Sequence, residues 1–347
     1  MVCYHLLYIG ENSVFRLAKY GFQVLAFLVL SLAPVAFAQG SDENVHIIPR
    51  KSTEPAATKV IDDPSLKTYT KPLKVDVDLV LVNVTVTDPM NRLVTGLEKE
   101  NFRLFEANAG QEIRHFSSED APISVGVILD LSGSMSNKMQ KAKDAIIEFF
   151  KTANPQDEFF LITFSDRPEV LTDFTQSIEE IQGRLIYSIH KGRTALFDAV
   201  YLGVSKMRNA RHNKKALLII SDGGDNRSRY TDSEIKALVR EADVQIYAIG
   251  IFDDARATPE EVRGPFMLAE MTDVTGGRTF PVADINDLAD VAVKIGVELR
   301  NQYVLGYRPT NKARDGKWRK LKVKLLAPKG LPPLNVHAKT GYYAPQQ

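Results

Sequence analysis

An Asp-x-Ser-x-Ser sequence, formed by Asp130, Ser132 and Ser134, is the feature of this 347-residue chain most suited to chemistry. It follows a run of apolar residues and precedes an amphipathic segment, which is the arrangement of a strand, a loop and a helix. One carboxylate and two hydroxyls are hard oxygen donors, the ligands that small divalent cations prefer. The loop is therefore a candidate metal site.

Two later segments add oxygen donors. Thr194 precedes a stretch of helical periodicity, and Asp222 follows an apolar run at 216–220. Since ligands bind at the carboxyl ends of the strands in an open parallel sheet, these loops should meet at one edge. Only two of the five side chains are carboxylates, so a bound divalent ion keeps positive charge and an open coordination position. We expect Mg²⁺, with Mn²⁺ or Ca²⁺ as alternatives, and a protein partner that presents an Asp or Glu carboxylate to the ion.

The segments that must position these residues alternate between apolar runs and amphipathic stretches. The runs typical of parallel strands buried on both faces are 123–129, 159–164, 216–220 and 244–251. The stretches with apolar residues at helical spacing are 139–149, 196–207 and 285–295. This order predicts an α/β domain over residues 120–300, with a doubly wound, mostly parallel sheet.

Strand-like segments flank this domain on both sides. Those before it are 75–87, 102–105 and 112–116, and those after it are 302–307, 319–326 and 334–343. Neither group alone is a convincing domain, because each offers about three strands and one exposed apolar face. We expect residues 72–119 and 301–347 to pair into one small β-sandwich, with the α/β domain inserted between them.

The first 71 residues differ from the rest. Basic residues precede an apolar run at 22–37, and the small-residue pattern ends at Ala38, so residues 1–38 are expected to be a signal peptide cleaved after Ala38. An uncleaved membrane anchor is the alternative. Residues 39–71 have the polar, aperiodic composition of a flexible leader. We therefore expect a secreted or periplasmic protein with no membrane span in the mature chain.

Charge and cysteine content exclude several classes of function. The net charge is +1, and the basic residues are spread along the chain, which argues against nucleic-acid binding. The one cysteine, Cys3, lies in the expected signal peptide, so the mature chain has no disulfide and no thiol nucleophile.

No nucleophile and base pair of the kind a hydrolase needs is evident. We expect a binding protein that is not an enzyme; a metal-dependent hydrolase and a purely structural ion are the alternatives. The sequence does not indicate the oligomeric state.

The five candidate ligands resemble the metal-ion-dependent adhesion site of von Willebrand factor type A domains, with all positions matched in order. The resemblance covers about residues 122–300 and implies a sheet flanked by helices, Mg²⁺ at its top, and a role in adhesion or envelope assembly. A narrower resemblance, to bacterial VWFA-related proteins described from acidobacteria, is carried by the segments VDLVLVNVTVTD, VTGLEKENFRLFE, QYVLGYRPT and KTGYYAP. It supports the split sandwich and export.

Three polar residues close to the candidate ligands have simpler roles. Asp225 is expected to cap the loop that follows Asp222 through local backbone hydrogen bonds. Asp198 suits the negative charge favoured at a helix N-terminus. Ser136 is expected to be the N-cap of the helix that begins near Asn137.

Overall fold

The computed structural model describes residues 79–186, 191–252, 259–328 and 330–346. The expected signal peptide at 1–38 and the expected leader at 39–71 lie outside the described residues. Within the described ranges, no helix has both the length and the apolar character needed to cross a membrane.

The elements follow one another in three groups. The first group is β1 (Val80–Thr87), β2 (Phe102–Glu106), β3 (Ala109–Gln111) and β4 (Ile113–Ser117). The central group is β5 (Ile123–Asp130), α1 (Met139–Phe150), β6 (Glu158–Phe164), β7 (Pro168–Thr175), α2 (Ile178–Ile186), α3 (Leu196–Met207), β8 (Lys214–Ser221), α4 (Asp232–Glu241), β9 (Gln245–Gly250), α5 (Pro259–Thr275), β10 (Thr279–Pro281) and α6 (Leu288–Arg300). The last group is β11 (Tyr303–Tyr307), β12 (Trp318–Leu325), β13 (Asn335–Ala338) and β14 (Gly341–Tyr343).

The central group forms a six-stranded sheet in the order β10-β9-β8-β5-β6-β7. All neighbouring strands are parallel except β7, which pairs antiparallel with β6 at one edge. Every residue of β5, β6 and β9 is buried, which explains why these strands read as unbroken apolar runs. The predicted doubly wound, mostly parallel sheet is confirmed.

Helices cover both faces of this sheet because successive strand residues point to opposite sides. Val127 and Leu129 pack in a core with α1, α2 and α6. Ile128, which lies between them, packs in a second core with α3, α4 and α5. The loops that contain the candidate ligands thus follow strands that are packed on both faces.

The flanking groups form two antiparallel sheets, in the orders β13-β1-β11-β4 and β14-β12-β2-β3. Each sheet combines strands from both ends of the chain: β1 pairs with β11, and β2 pairs with β12. Val84 and Leu305 from one sheet share a core with Leu104 and Leu321 from the other. The predicted sandwich, built from the two flanking segments around the α/β domain, is confirmed as a fold.

Some elements were not predicted. β7 and β10 lack long apolar runs, and α5 contains Pro265 and has no clear apolar stripe. The start of α4 is marked by a capping box. The Thr231 hydroxyl accepts a hydrogen bond from the Glu234 amide, and the Glu234 carboxylate accepts one from the Thr231 amide. This capping box is visible in the sequence as Thr-Asp-Ser-Glu.

Candidate metal site

Asp130 is the last residue of β5 and is fully buried at the carboxyl edge of the central sheet. Its Oδ1 accepts a hydrogen bond of 2.8 Å from the Ser132 amide, and its Oδ2 accepts one of 2.6 Å from the Ser221 hydroxyl. Ser221 ends the neighbouring strand β8, in which Ile220 pairs with Leu129. The carboxylate is therefore fixed from its own loop and from the adjacent strand.

The two serines of the loop lie side by side. The Ser132 and Ser134 hydroxyl oxygens are 3.1 Å apart, across a 3₁₀ turn at Gly133–Met135. Ser132 is buried and Ser134 is exposed. Met135 is fully buried beneath the turn and anchors it to the core. The oxygen donors of this loop therefore extend from the buried Ser132 to the solvent-exposed Ser134.

Thr194 belongs to a loop that touches the Asp-x-Ser-x-Ser loop directly. The Gly133 amide donates to the Gly192 carbonyl at 3.1 Å. Gly192 has a φ of +112°, and a Cβ there would lie 2.7 Å from a carboxylate oxygen of Asp166, so the position requires glycine. Thr194 is buried, and its amide donates to the Asn226 side chain at 3.0 Å. This loop joins the loops that follow β5 and β8.

Asp222 follows β8 and is 3% exposed. Neither of its carboxylate oxygens has a hydrogen-bond partner among the described residues. A buried carboxylate without a partner is costly, and proteins pair such charges or coordinate metals with them. The donor set therefore fits a cation, because an ion held at this edge would compensate the Asp222 charge.

The electrostatics of Asp130 support the same interpretation. Burial, together with the charge of Asp222, raises the pKa of Asp130 to about 7, although hydrogen bonds from Ser221 and Ser132 oppose this rise. Two carboxylates in one buried site cannot both ionise without cost. A divalent cation at this edge would favour the ionised form of Asp130.

The structure thus brings the five predicted residues into neighbouring loops at one edge of the sheet. In the described ranges, no group of three or more His, Cys, Asp or Glu side chains is arranged to hold a metal. The candidate set is of another kind, with two carboxylates and three hydroxyls. Its assignment as a ligand set stays a prediction.

The polar residues around the site differ partly from expectation. The Ser136 hydroxyl donates to the Gly133 carbonyl at 2.8 Å, and α1 begins only at Met139, so the prediction of a Ser136 N-cap is wrong. The Ser136 hydroxyl instead stabilises the turn inside the loop. Asp225 accepts hydrogen bonds from the Ser228 amide at 3.3 Å and the Ser228 hydroxyl at 2.6 Å, which confirms a local capping role, and it also accepts one from the Phe197 amide at 2.9 Å. Asp198 lies in the first turn of α3, as expected.

Sequence reasoning missed Ser221. Its hydroxyl holds Asp130 and also accepts a hydrogen bond of 3.0 Å from the Gly223 amide. The signal available was its position, directly before Asp222 at the end of an apolar run. A serine at a strand end has many uses, so only the pairing of β5 with β8 reveals this one.

Comparison with known proteins identifies similar domains. Residues 125–224 match the family model of the von Willebrand factor type A domain. An uncharacterized protein of Borreliella burgdorferi is 24% identical over 188 residues, which cover 47% of this chain and 55% of that protein. Inter-alpha-trypsin inhibitor heavy chain H4 of Sus scrofa is 27% identical over 176 residues, covering 46% of this chain and 18% of its own length. The alignments therefore span about half or less of these relatives.

A solved structure, a von Willebrand factor type A protein from Catenulispora acidiphila, aligns with a TM-score of 0.46 and 13% identity, covering 77% of this chain and 75% of the other. The family-model match runs from β5 to the loop after β8, and so includes all five candidate ligands. On this match, the chain contains a von Willebrand factor type A domain.

Proposed function

We propose that this protein is an exported, metal-dependent protein-binding module that captures a partner carboxylate through Mg²⁺ held by Asp130, Ser132, Ser134, Thr194 and Asp222. The observation that carries the proposal is the pair of unpartnered, buried oxygens of Asp222. They lie beside Asp130, whose pKa that charge helps to raise. A site with this much uncompensated negative charge is suited to a divalent cation.

The chain contributes a preorganised set of oxygens. Asp130 is fixed by Ser221 and by the Ser132 amide, and Thr194 is fixed through its backbone to Asn226. The bound ion would supply positive charge at a position still able to accept one more oxygen ligand. Because these contacts are made within the chain, the fold itself orders the oxygens, and such preorganisation favours binding.

Exposure indicates the side from which a partner approaches. Asp130, Ser132, Thr194 and Asp222 are buried, whereas Ser134 is exposed. A partner side chain would therefore reach the ion from the side of Ser134. A single extended Asp or Glu side chain suits such an approach, since Ser134 is the one exposed member of the candidate set.

Adhesion and envelope assembly are the two settings that we propose for this capture. Export is part of the proposal, and it depends on the expected signal peptide cleaved after Ala38. N-terminal sequencing of the protein recovered from its native cells tests that part independently. A start at Gln39 supports export by a cleaved signal.

Two other uses of the ion lead to different results. In a metal-dependent hydrolase, turnover would survive Thr194→Ala and disappear with a nearby acid-base variant. His115 and His212 are not suited to that role, because both line a cleft with Lys214 at the amino end of β8, the end opposite Asp222.

If the ion served only to hold the loops together, Asp130→Ala would lower the stability of the protein while partner binding persisted.

The proposal is tested by titrating the ¹⁵N-labelled protein with a Gly-Ser peptide that carries one central Asp. In MgCl₂, amide shifts are expected to change around Gly133, Thr194 and Gly223, and not when EDTA replaces Mg²⁺. The same peptide with Asn in place of Asp is the matched control, because it keeps the size and loses the charge. Asp-peptide binding that EDTA or Asp130→Ala leaves intact contradicts the proposal.

A further inference from the structure

The loops around the candidate metal site carry a set of exposed basic side chains, here called the basic rim. Its members are Arg167, Lys191, Arg193, Arg227 and Arg229. All five lie in the loops after β6 and β8 and in the loop before α3. These segments are at the carboxyl edge of the sheet, where Asp130 and Asp222 are also found.

Two members flank a candidate ligand directly. Arg193 precedes Thr194 in the chain, and the Arg227 amide donates to the Thr194 carbonyl at 3.2 Å. Their Cα atoms are therefore fixed close to Thr194 on two different loops, while both side chains extend into solvent. Both arginines are therefore exposed close to the loop that contains Thr194.

The other members extend the rim outward. The Arg229 amide donates to Asp198 at 2.8 Å, at the start of α3. Lys191 precedes Gly192, whose carbonyl accepts from the Gly133 amide. Arg167 is in the turn whose Ser165 carbonyl accepts from the Ala195 amide at 2.8 Å. The rim thus follows the loops that border the site.

The acidic residues of the same loops accept hydrogen bonds from backbone amides and form no ion pair with the rim within the described residues. Asp166 accepts the Arg193 amide, Asp198 accepts the Arg229 amide, and Asp225 accepts the Phe197 amide. These carboxylates are engaged by the backbone. Across the described ranges, none of the five basic side chains forms an ion pair, whereas Lys151 and Arg211 elsewhere are paired with Glu148 and Glu158.

From this arrangement we infer that the basic rim selects partners whose captured Asp or Glu lies within an acidic segment, so that neighbouring carboxylates contact Arg193 and Arg227. The inference rests on the proposed capture of a carboxylate at the metal site. Long arginine side chains suit it, because their planar guanidinium groups bind carboxylates in a bidentate way. Each exposed pair adds little affinity, so the rim acts through discrimination and through the rate of encounter.

The test compares two Gly-Ser peptides by NMR titration in MgCl₂, one with a single central Asp and one with an additional Asp on either side. We expect the wild-type protein to bind the acidic peptide about threefold to tenfold more tightly. In the double variant Arg193→Gln/Arg227→Gln this preference should fall to about twofold or less, with single-Asp binding nearly unchanged. High salt should reduce the preference in the wild-type protein.

The matched control is Arg208→Gln/Arg240→Gln, which removes two exposed arginines from two neighbouring clefts at the amino ends of β8 and β9. This variant should keep the wild-type preference. The inference is overturned if the wild-type protein binds both peptides equally, if it binds neither, or if the rim variant keeps the preference. A preference for the acidic peptide that persists in EDTA and is lost in the rim variant supports the role of the basic rim but contradicts capture of a carboxylate by the metal. The failure of the rim inference can therefore be distinguished from the failure of the proposed function.

Discussion

The hydroxyl of Ser221 donates a 2.6 Å hydrogen bond to Oδ2 of Asp130, across the pairing of β8 with β5. Ser221 directly precedes Asp222, so the end of one strand both fixes the first carboxylate of the site and presents the second. The two acidic groups are thus held together by the backbone of the sheet. The charge of Asp222 accordingly contributes to the raised pKa of Asp130.

The first prediction concerns Asp222, whose buried carboxylate has no hydrogen-bond partner in the described residues. Asp222→Asn should leave the free energy of unfolding of the metal-free protein unchanged or raise it by up to about 2 kcal/mol, because a buried unpaired charge is removed. The same variant should lose the stabilisation by Mg²⁺. Urea unfolding with and without MgCl₂ measures both effects.

The matched control for that variant is Asp225→Asn, three residues further along. Asp225 accepts hydrogen bonds from the Phe197 amide and the Ser228 hydroxyl. Its substitution should lower the free energy of unfolding by about 1–3 kcal/mol. Equal destabilisation of the metal-free protein by the two substitutions would contradict the interpretation of Asp222.

A second prediction follows from the pKa of Asp130, which burial and the charge of Asp222 raise from 3.8 to about 7. Between these values the metal-free folded protein binds more protons at this group than the unfolded chain. This contribution to stability therefore falls as pH rises through that window. Mg²⁺ requires the ionised form, so its affinity should rise about tenfold between about pH 6 and about pH 8.

Calorimetric titration with MgCl₂ in buffers of different ionisation enthalpy measures this effect. Near neutral pH, binding should release a fraction of a proton, and Ser221→Ala should shift the dependence upward in pH because a hydrogen bond that lowers the Asp130 pKa is lost. Affinity that is independent of pH over this range would show that Asp130 is already ionised without metal.

A third prediction concerns the contact between α5 and the Asp222 loop. A Cβ on Gly264 would lie 2.6 Å from the Asp222 carbonyl oxygen, and Gly223, with a φ of +80°, faces it. Gly264→Ala should therefore displace the loop, weaken Mg²⁺ binding by about tenfold and destabilise the protein by about 1–3 kcal/mol. Calorimetry and urea unfolding measure the two changes.

Gly183→Ala is the control, because a Cβ on Gly183 in α2 meets no atom within 4 Å. It should be neutral or stabilise the protein by up to about 1 kcal/mol. If Gly264→Ala behaved in the same way, α5 would have no part in positioning Asp222.

The fourth prediction addresses the packing of α6. Glu298 of α6 forms a buried ion pair of 2.5 Å with Arg278 and accepts a hydrogen bond of 3.1 Å from the Tyr247 hydroxyl. Glu298→Gln should lower the free energy of unfolding by about 3–5 kcal/mol, because it leaves the Arg278 charge buried without its partner. The exposed pair of Lys151 with Glu148 is the comparison, and Glu148→Gln should cost about 1 kcal/mol or less. Equal losses in the two variants would contradict the importance of burial.

Much of this architecture could be predicted from the sequence because burial leaves direct patterns. Strands buried on both faces, such as β5 and β6, appear as unbroken apolar runs, and the predicted ranges differ from the observed strands by a residue or two at their ends. The loop that contains Asp130 was identified because oxygen donors follow directly after such a run. The sandwich could be predicted because neither flanking segment could form a stable sheet alone.

The remaining features depend on contacts between distant residues. The edge strand β7 is half exposed and has little apolar character, so its sequence does not distinguish it from a loop. The contact of Gly264 with the Asp222 loop depends on the tertiary position of α5. The unpartnered state of Asp222 is likewise invisible in the sequence, since it depends on which polar groups fail to reach it.

The central claim is that Asp130 and its neighbours bind a divalent cation, and it is tested most directly by thermal unfolding of metal-stripped protein across a titration of MgCl₂. A ligand that binds only the folded state must stabilise it, by about 2.7 kcal/mol at a hundredfold excess over Kd. We expect the midpoint temperature of the wild-type protein to rise with Mg²⁺ and that of Asp130→Ala to stay constant. A wild-type midpoint that does not respond to Mg²⁺, or an equal response in Asp130→Ala, would contradict the claim.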